Sequence, residues 1–165
     1  MTNDNIDVFM RVQWRIEEQG LRIASKDDRR PWGGFFVIDE SQAQQFIEAF
    51  FPDEDATVLM QHKVSPKILI VAPGIRLSWQ YHHRRAELWR VLEGPVLVMR
   101  SDTDAETTPQ QHTTGDVLRI AQGERHRLIG GTTYGIVAEI WQHTNPRHPS
   151  NEEDIIRVQD DFGRQ

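Results

Sequence analysis

The pattern of apolar and polar positions changes period once along the chain, near Lys67. Upstream of it, Ile6, Phe9, Met10 and Ile16 recur at helical intervals and predict a helix over 5–19, with Trp14 off the tightest stripe and Gly20 beyond its end. Such a helix is expected across the outside of the domain or against a second subunit. Lys26–Arg30 reads as a charged connector, Pro31-Trp32-Gly33-Gly34 as punctuation, and Phe35–Ile38 as a short strand. Ser41 and Gln44 have the spacing of a capping box, and Ala43, Phe46, Ile47 and Phe50 follow at helical spacing. A second helix is therefore predicted over 42–51, closed by Pro52 and followed by a loop at Asp53–Ala56.

From Lys67 onward, short β-rich runs alternate with Gly, Pro and Asp. They fall at 67–72, 76–82, 87–92, 95–100, 116–120, 126–129 and 134–142, with a polar hairpin or loop over 101–114 that carries His112 at the surface. Short strands at this spacing predict a mainly β sandwich or barrel. No repeat or low-complexity linker divides the 165 residues, so they read as one domain. Its expected parts are a helical N-terminal extension over 1–62, a barrel core over 67–142 and a C-terminal tail over 143–165.

Composition narrows the classes. No apolar run approaches the roughly 18 residues of a membrane span, and MTNDNIDVF lacks the order of a signal peptide. The chain has no cysteine, so any metal must be held by His, Glu, Asp, Gln or water. These features predict a cytoplasmic protein that does not engage membranes. The net charge of −6 argues against nucleic acid as the main partner. Arg84, Arg85, Arg90, Arg125 and Arg127 nevertheless cluster in sequence around the stretch described next, which suits a small anionic ligand.

That stretch, Gly74 to Gly94, places Gln80, His82, His83 and Glu87 within eight residues. In a strand Gln80 and His82 share a face, whereas Glu87 has the opposite parity. Glu87 joins them only if the polar run His83–Ala86 turns the chain. Imidazole, amide oxygen and carboxylate together suit a divalent ion: Zn first, with Mn, Fe, Co or Ni accepted by the same donors. A solvated hairpin tip rich in His and Arg is the alternative. Downstream, a strand from Gly115 leads to a turn at Gly123, and His126 opens the next strand as a fourth candidate ligand.

Both segments resemble the cupin motifs. Gly74, Gln80, His82, Glu87 and Gly94 match the first motif in spacing; Gly115, Gly123 and His126 match the second, with Ala121 in place of the usual proline. The Gln at the first ligand position, Arg85-Ala86-Glu87 and Trp89 are similar to the type II phosphomannose isomerase branch. So are Arg30-Pro31-Trp32-Gly33, Lys67, Pro73-Gly74 and His126-Arg127-Leu128, and the ending with Glu153-Asp154-Ile155-Ile156-Arg157 and Asp161-Phe162-Gly163-Arg164. Leu88 departs from the branch, which usually has His there. Residues 39–62 insert a helix, and His143–Ser150 lengthen the last connection.

The resemblance implies a single-domain cupin, that is, a double-stranded β-helix or jelly-roll barrel with N-terminal helices. It implies metal-dependent aldose–ketose isomerisation of a sugar phosphate, mannose 6-phosphate or a phosphoheptose, with Gln80, His82, Glu87 and His126 as metal ligands. Arg157 matches the branch's functional C-terminal arginine; Lys67 and Arg164 are further candidates for anion contacts. The reaction also needs a general base. Glu139 is the first candidate, because it shares a strand face with Val137 and Trp141 and burial there would raise its pKa; His83 is the second. A cupin dioxygenase and a non-catalytic sugar-binding cupin are the competing readings. Exposed sheet edges predict a homodimer formed through the N-terminal segment.

Overall fold

Two antiparallel sheets face each other in the computed structural model, which describes residues 3–165. The chain begins with helix α1 (Asn3–Glu18), then strands β1 (Ile23–Arg30) and β2 (Gly33–Ile38). A 3-10 turn (Glu40–Gln42) leads into α2 (Ala43–Phe50) and the short α3 (Ala56–Leu59). The strands that follow are β3 (Lys67–Val71), β4 (Trp79–Tyr81), β5 (Arg85–Glu93), β6 (Val96–Ser101), β7 (Gln110–His112), β8 (Val117–Ile120), β9 (Arg125–Gly130), β10 (Gly135–His143) and β11 (Ile156–Gln159). One sheet has the order β1-β2-β3-β10-β5-β8, the other β11-β4-β9-β6-β7. Among the described residues, no helix is long and apolar enough to cross a membrane.

Strand alternation sorts the side chains into two cores. Leu69, Val71, Trp89, Val91, Val137 and Leu128 point between the sheets. The opposite parity, with Ile68, Ile70, Leu88, Ile136, Ala138 and Ile140, faces outward and is covered by Phe9, Val12 and Ile16 of α1 and Phe46, Ile47 and Phe50 of α2. A strand apolar on both sides, such as β10, is stable only with such a cover. Each of these large side chains contributes roughly 1.5–3 kcal/mol by leaving water. The inward parity of β3, β5 and β10 continues into Lys67, Glu87, Glu139 and Trp141, which line the site.

Several local expectations are corrected. The buried stripe of α1 is Phe9, Val12 and Ile16, while Ile6, Met10 and Trp14 are exposed. The charged connector at 26–30 is part of β1, an edge strand whose charges discourage pairing with another chain. The stretch before residue 62 is thus not only helical. The capping box does not form: Asp39 caps the 3-10 turn by accepting from the Ser41 N–H, and Gln44 instead donates to Glu48. Asp53–Ala56 runs into α3, capped by the Asp55 carboxylate. The 101–114 loop contains β7, and the C-terminal tail contributes β11, paired with β4.

The decisive tie is made by that tail. The turn after β4 spans only 82–84, because Arg85 and Ala86 already belong to β5. The carboxylate of Asp154 accepts hydrogen bonds from the N–H groups of His83 (2.9 Å) and Arg84 (3.0 Å) and from the Ser150 hydroxyl (2.6 Å). Burial opposes its ionisation, but these donors outweigh it and hold its pKa at about 2. A carboxylate held below its unfolded pKa stabilises the fold above that pKa, and the contribution is lost as pH falls through the folded value.

Asp154→Asn is therefore expected to unfold at lower temperature at pH 7 and to show a shallower decline in melting temperature between pH 4 and pH 2 than the wild type. Thermal unfolding across a pH series checks both. Gly34 provides a second test, since a Cβ there would lie 2.0 Å from the Asp27 carbonyl oxygen and 2.7 Å from the Phe9 ring. Gly34→Ala must push apart β1, β2 and α1. It is expected to cost about 2 kcal/mol or more in chemical denaturation, the range of overpacked cores.

Candidate metal centre

Three strands bring the candidate ligands to one point between the sheets. His82 follows β4, Glu87 lies on β5, and His126 sits on β9 with Gln80 of β4 as its register partner. The turn at 82–84 resets the parity of Glu87, as its sequence position requires. His82, Glu87 and His126 are all buried, and one ligand atom from each lies within 4.8 Å of the others. The Glu87 carboxylate is 3.3 Å from Nε2 of His126 and 3.6 Å from Nε2 of His82.

Hydrogen bonds orient both imidazoles. Nδ1–H of His82 donates to the Asp154 carbonyl (2.6 Å), and Nδ1–H of His126 donates to the Glu124 carbonyl (2.9 Å). Each neutral ring therefore turns an Nε2 lone pair toward Glu87, the usual way of preparing a histidine for a metal. Nε2 of His126 and both Glu87 oxygens are buried without a hydrogen-bond partner among the described residues. Burial alone would neutralise Glu87, yet the Arg85 guanidinium and the facing imidazoles hold its pKa well below the usual carboxylate range. Burial conversely lowers the pKa of His82, against the pull of Glu87, and favours the neutral ring that ligates. The unpartnered atoms of Glu87 and His126 converge with Nε2 of His82, which also lies 3.3 Å from Nη2 of Arg85, and the three side chains together fit a divalent cation.

Gln80 stands beside this group. Its Oε1 accepts from the Ser78 hydroxyl, and its Nε2 lies 3.5 Å from Nε2 of His82. Exchanging the amide oxygen and nitrogen by a half-turn leaves the outline unchanged and directs the oxygen toward the histidines. Gln80 and Glu87 both line a cavity of about 100 Å³, together with Glu139, Lys67, Arg85, Trp141, Arg157 and Arg164.

Glu139 is buried and accepts from the indole N–H of Trp89 (3.2 Å). Burial, and then the neighbouring Glu87 charge, push its pKa up to about 8. Lys67, its register partner on β3, is buried against the Trp141 ring, 4.2 Å from the centroid, and pairs with Glu152. Arg157 pairs in register with Gln80; it donates from Nη1 to the Gln165 carbonyl (2.6 Å), while its Nε is buried without a partner among the described residues. Arg164 reaches the same rim, held by Asp160 at 2.8 and 2.9 Å.

Other expectations are not met. His83, the second base candidate, is exposed, sits against Tyr81 and does not line the cavity. Of the clustered arginines only Arg85 lines it, stacked 3.6 Å from Trp141 and 3.5 Å from Glu87. Arg127 is fully buried but braces Leu77, Glu106 and Gln159, and Arg90 binds the Phe50 carbonyl. Leu88, the departure beside Glu87, points outward into the helix-covered core, away from the cavity. Glu152 and Asp154 had no assigned role in the sequence reading. Ser65 and His143, 3.2 Å apart, look like a nucleophile and its base. Nδ1 of His143 accepts the Ser150 N–H, however, so Nε2 carries the proton and cannot take one from Ser65.

Residues 39–160 match the family described as mannose-6-phosphate isomerase C-terminal, a span that includes the helical segment read from sequence as an insertion. The xanthan biosynthesis protein XanB of Xanthomonas campestris pv. campestris is 31% identical over 98% of this chain and 29% of its own length. The alginate biosynthesis protein AlgA of Pseudomonas aeruginosa is 30% identical over 82% of this chain and 22% of its own. The chain thus spans under a third of these relatives. In fold it is similar to the capsular polysaccharide assembling protein CapF of Staphylococcus aureus, with a TM-score of 0.51 at 17% identity over 83% of this chain and 34% of that one. With both motifs converging between two antiparallel sheets, the chain belongs to the mannose-6-phosphate isomerase C-terminal family and has the cupin fold.

Proposed function

We propose that the chain is a metal-dependent aldose–ketose isomerase acting on a sugar phosphate of the mannose 6-phosphate kind. The observation that carries this reading is the content of one cavity. Its floor holds the unpartnered Glu87 oxygens, its wall a buried Glu139, and its lining Arg30, Lys67, Arg157 and Arg164. His82, Glu87, His126 and Gln80 are assigned to the metal, with Zn as first choice and Mn, Fe, Co or Ni as fits to the same donors. When bound, the ion would supply positive charge to the oxygens on C1 and C2, the two carbons whose oxidation levels exchange.

The side chains do the rest. Glu139 takes the proton from C2 and returns it to C1, while the hydroxyl hydrogen moves to the former carbonyl oxygen. The atoms balance without an external oxidant. The Trp89 indole N–H aims the Glu139 carboxylate across the cavity. Arg157, whose Nε has no partner among the described residues, stabilises the oxygen that gains negative charge. Lys67 and Arg164 hold the phosphate at the rim.

Metal-loaded protein is expected to interconvert mannose 6-phosphate and fructose 6-phosphate, or another pair in a panel of aldose and ketose phosphates. Absence of turnover across the panel overturns the reading. His126→Ala is expected to reduce metal content measured by elemental analysis. Glu139→Gln and Arg157→Ala are expected to retain metal and lose turnover, by roughly 10²- to 10⁴-fold for the base. Full turnover in either variant removes that residue from the mechanism.

A further inference from the structure

Glu152 lies on the wall between two cavities. The inner one is the site described above; the second, of about 320 Å³, is lined by Lys63, Ser65, Pro66, Ser150 and Asn151 among others. Lys67, Trp141 and Glu152 border both. The Lys67 side chain is 8% exposed and that of Glu152 is 65% exposed, so the ion pair joins a buried ammonium to a carboxylate largely in water.

We infer that Glu152 occupies the anion subsite of Lys67 and is a specificity-determining residue, displaced when the phosphate of a substrate takes its place. This rests on the sugar-phosphate reading and adds the residue that makes the site selective for it. Three features carry it. A carboxylate on a buried lysine is chemically what a phosphate oxygen would be there. The ammonium also stays in place when Glu152 leaves, because the rings of Trp141 and Phe35 hold it at 4.2 and 5.1 Å from their centroids.

The third feature is that only one side chain need move. Asn151 is fixed on one side, its carbonyl accepting from Arg85 and its side-chain oxygen from the N–H groups of Glu153 and Asp154. Asp154 is fixed on the other by the four hydrogen bonds it accepts. The backbone around Glu152 is thus anchored, and a rotation of its side chain releases Lys67 and opens the wall between the cavities. A neutral sugar gains nothing from Lys67 that would offset loss of the ion pair; a dianionic phosphate does.

The test is calorimetric binding of inorganic phosphate, mannose 6-phosphate and mannose to the metal-loaded full chain. Glu152→Gln is expected to bind both phosphate probes roughly three- to tenfold more tightly, the range a half-exposed ion pair commands, and mannose without change. The gain is expected to vanish in the Lys67→Met, Glu152→Gln double variant. Equal or weaker phosphate binding by Glu152→Gln overturns the inference, as does failure of both the wild type and the variant to bind phosphate. The readout needs no turnover. A gain in binding by a protein that isomerises nothing would sink the isomerase reading and leave the subsite standing.

Discussion

A carboxylate buried between two sheets, with neither oxygen hydrogen-bonded among the described residues, is the constraint around which the molecule is built. Removing an unpaired charge from water costs several kcal/mol or more. Arg85, 3.5 Å away, offsets part of that cost, and Nε2 of His126 and of His82 face the carboxylate at 3.3 and 3.6 Å, where a shared cation would offset the rest. Replace the cluster by apolar residues and the barrel would pack more easily. Set in a fold otherwise filled with Val, Leu and Trp side chains, the cluster has the donor set of a possible metal site.

Support for the cluster comes from outside the barrel strands. Asp154 fastens the C-terminal segment to the turn at 82–84 through its carboxylate and to His82 through its carbonyl, so one residue sets both the turn that delivers Glu87 and the tautomer of a candidate ligand. Arg85 runs from Glu87 to Ser150 and Asn151 and joins the same segment to the floor of the cavity. The tail closes the site: it supplies Glu152, Arg157 and Arg164 to the lining. Helices α1 and α2 have a different task. They bury the outward parity of β3, β5 and β10, so that the inward parity is free to carry Lys67, Glu87 and Glu139.

Much of the site was legible because cupin ligands lie close in sequence and their spacing is rigid. Gln80 and His82 share a face by the two-residue period of a strand, and the parity of Glu87 demanded a turn that the structure contains. Glu139 was legible for the same reason, since alternation ties it to Val137 and Trp141. The misreadings have one origin. Lys26–Arg30 looked like a connector because its charges reflect an edge position, which only the sheet order reveals. Ser41 and Gln44 had the spacing of a cap, but Asp39, two residues earlier, competed successfully for the Ser41 N–H. His83 looked reactive beside His82, yet it sits on the outside of the turn.

By itself, then, the sequence determined what depends on short-range periodicity: the mainly β class, the two apolar helices, the cupin motifs and the inward set Gln80, His82, Glu87, His126 and Glu139. Tertiary structure decided what depends on contacts between distant segments. It placed Asp154 on a turn 70 residues upstream, set Glu152 on Lys67 across 85 residues, and sent Arg90 and Arg127 to structural duties while keeping Arg85 in the cavity. A carboxylate or guanidinium carries no local mark of its eventual partner. Long side chains reach whatever the folded backbone brings near, and that proximity exists only once both sheets have formed.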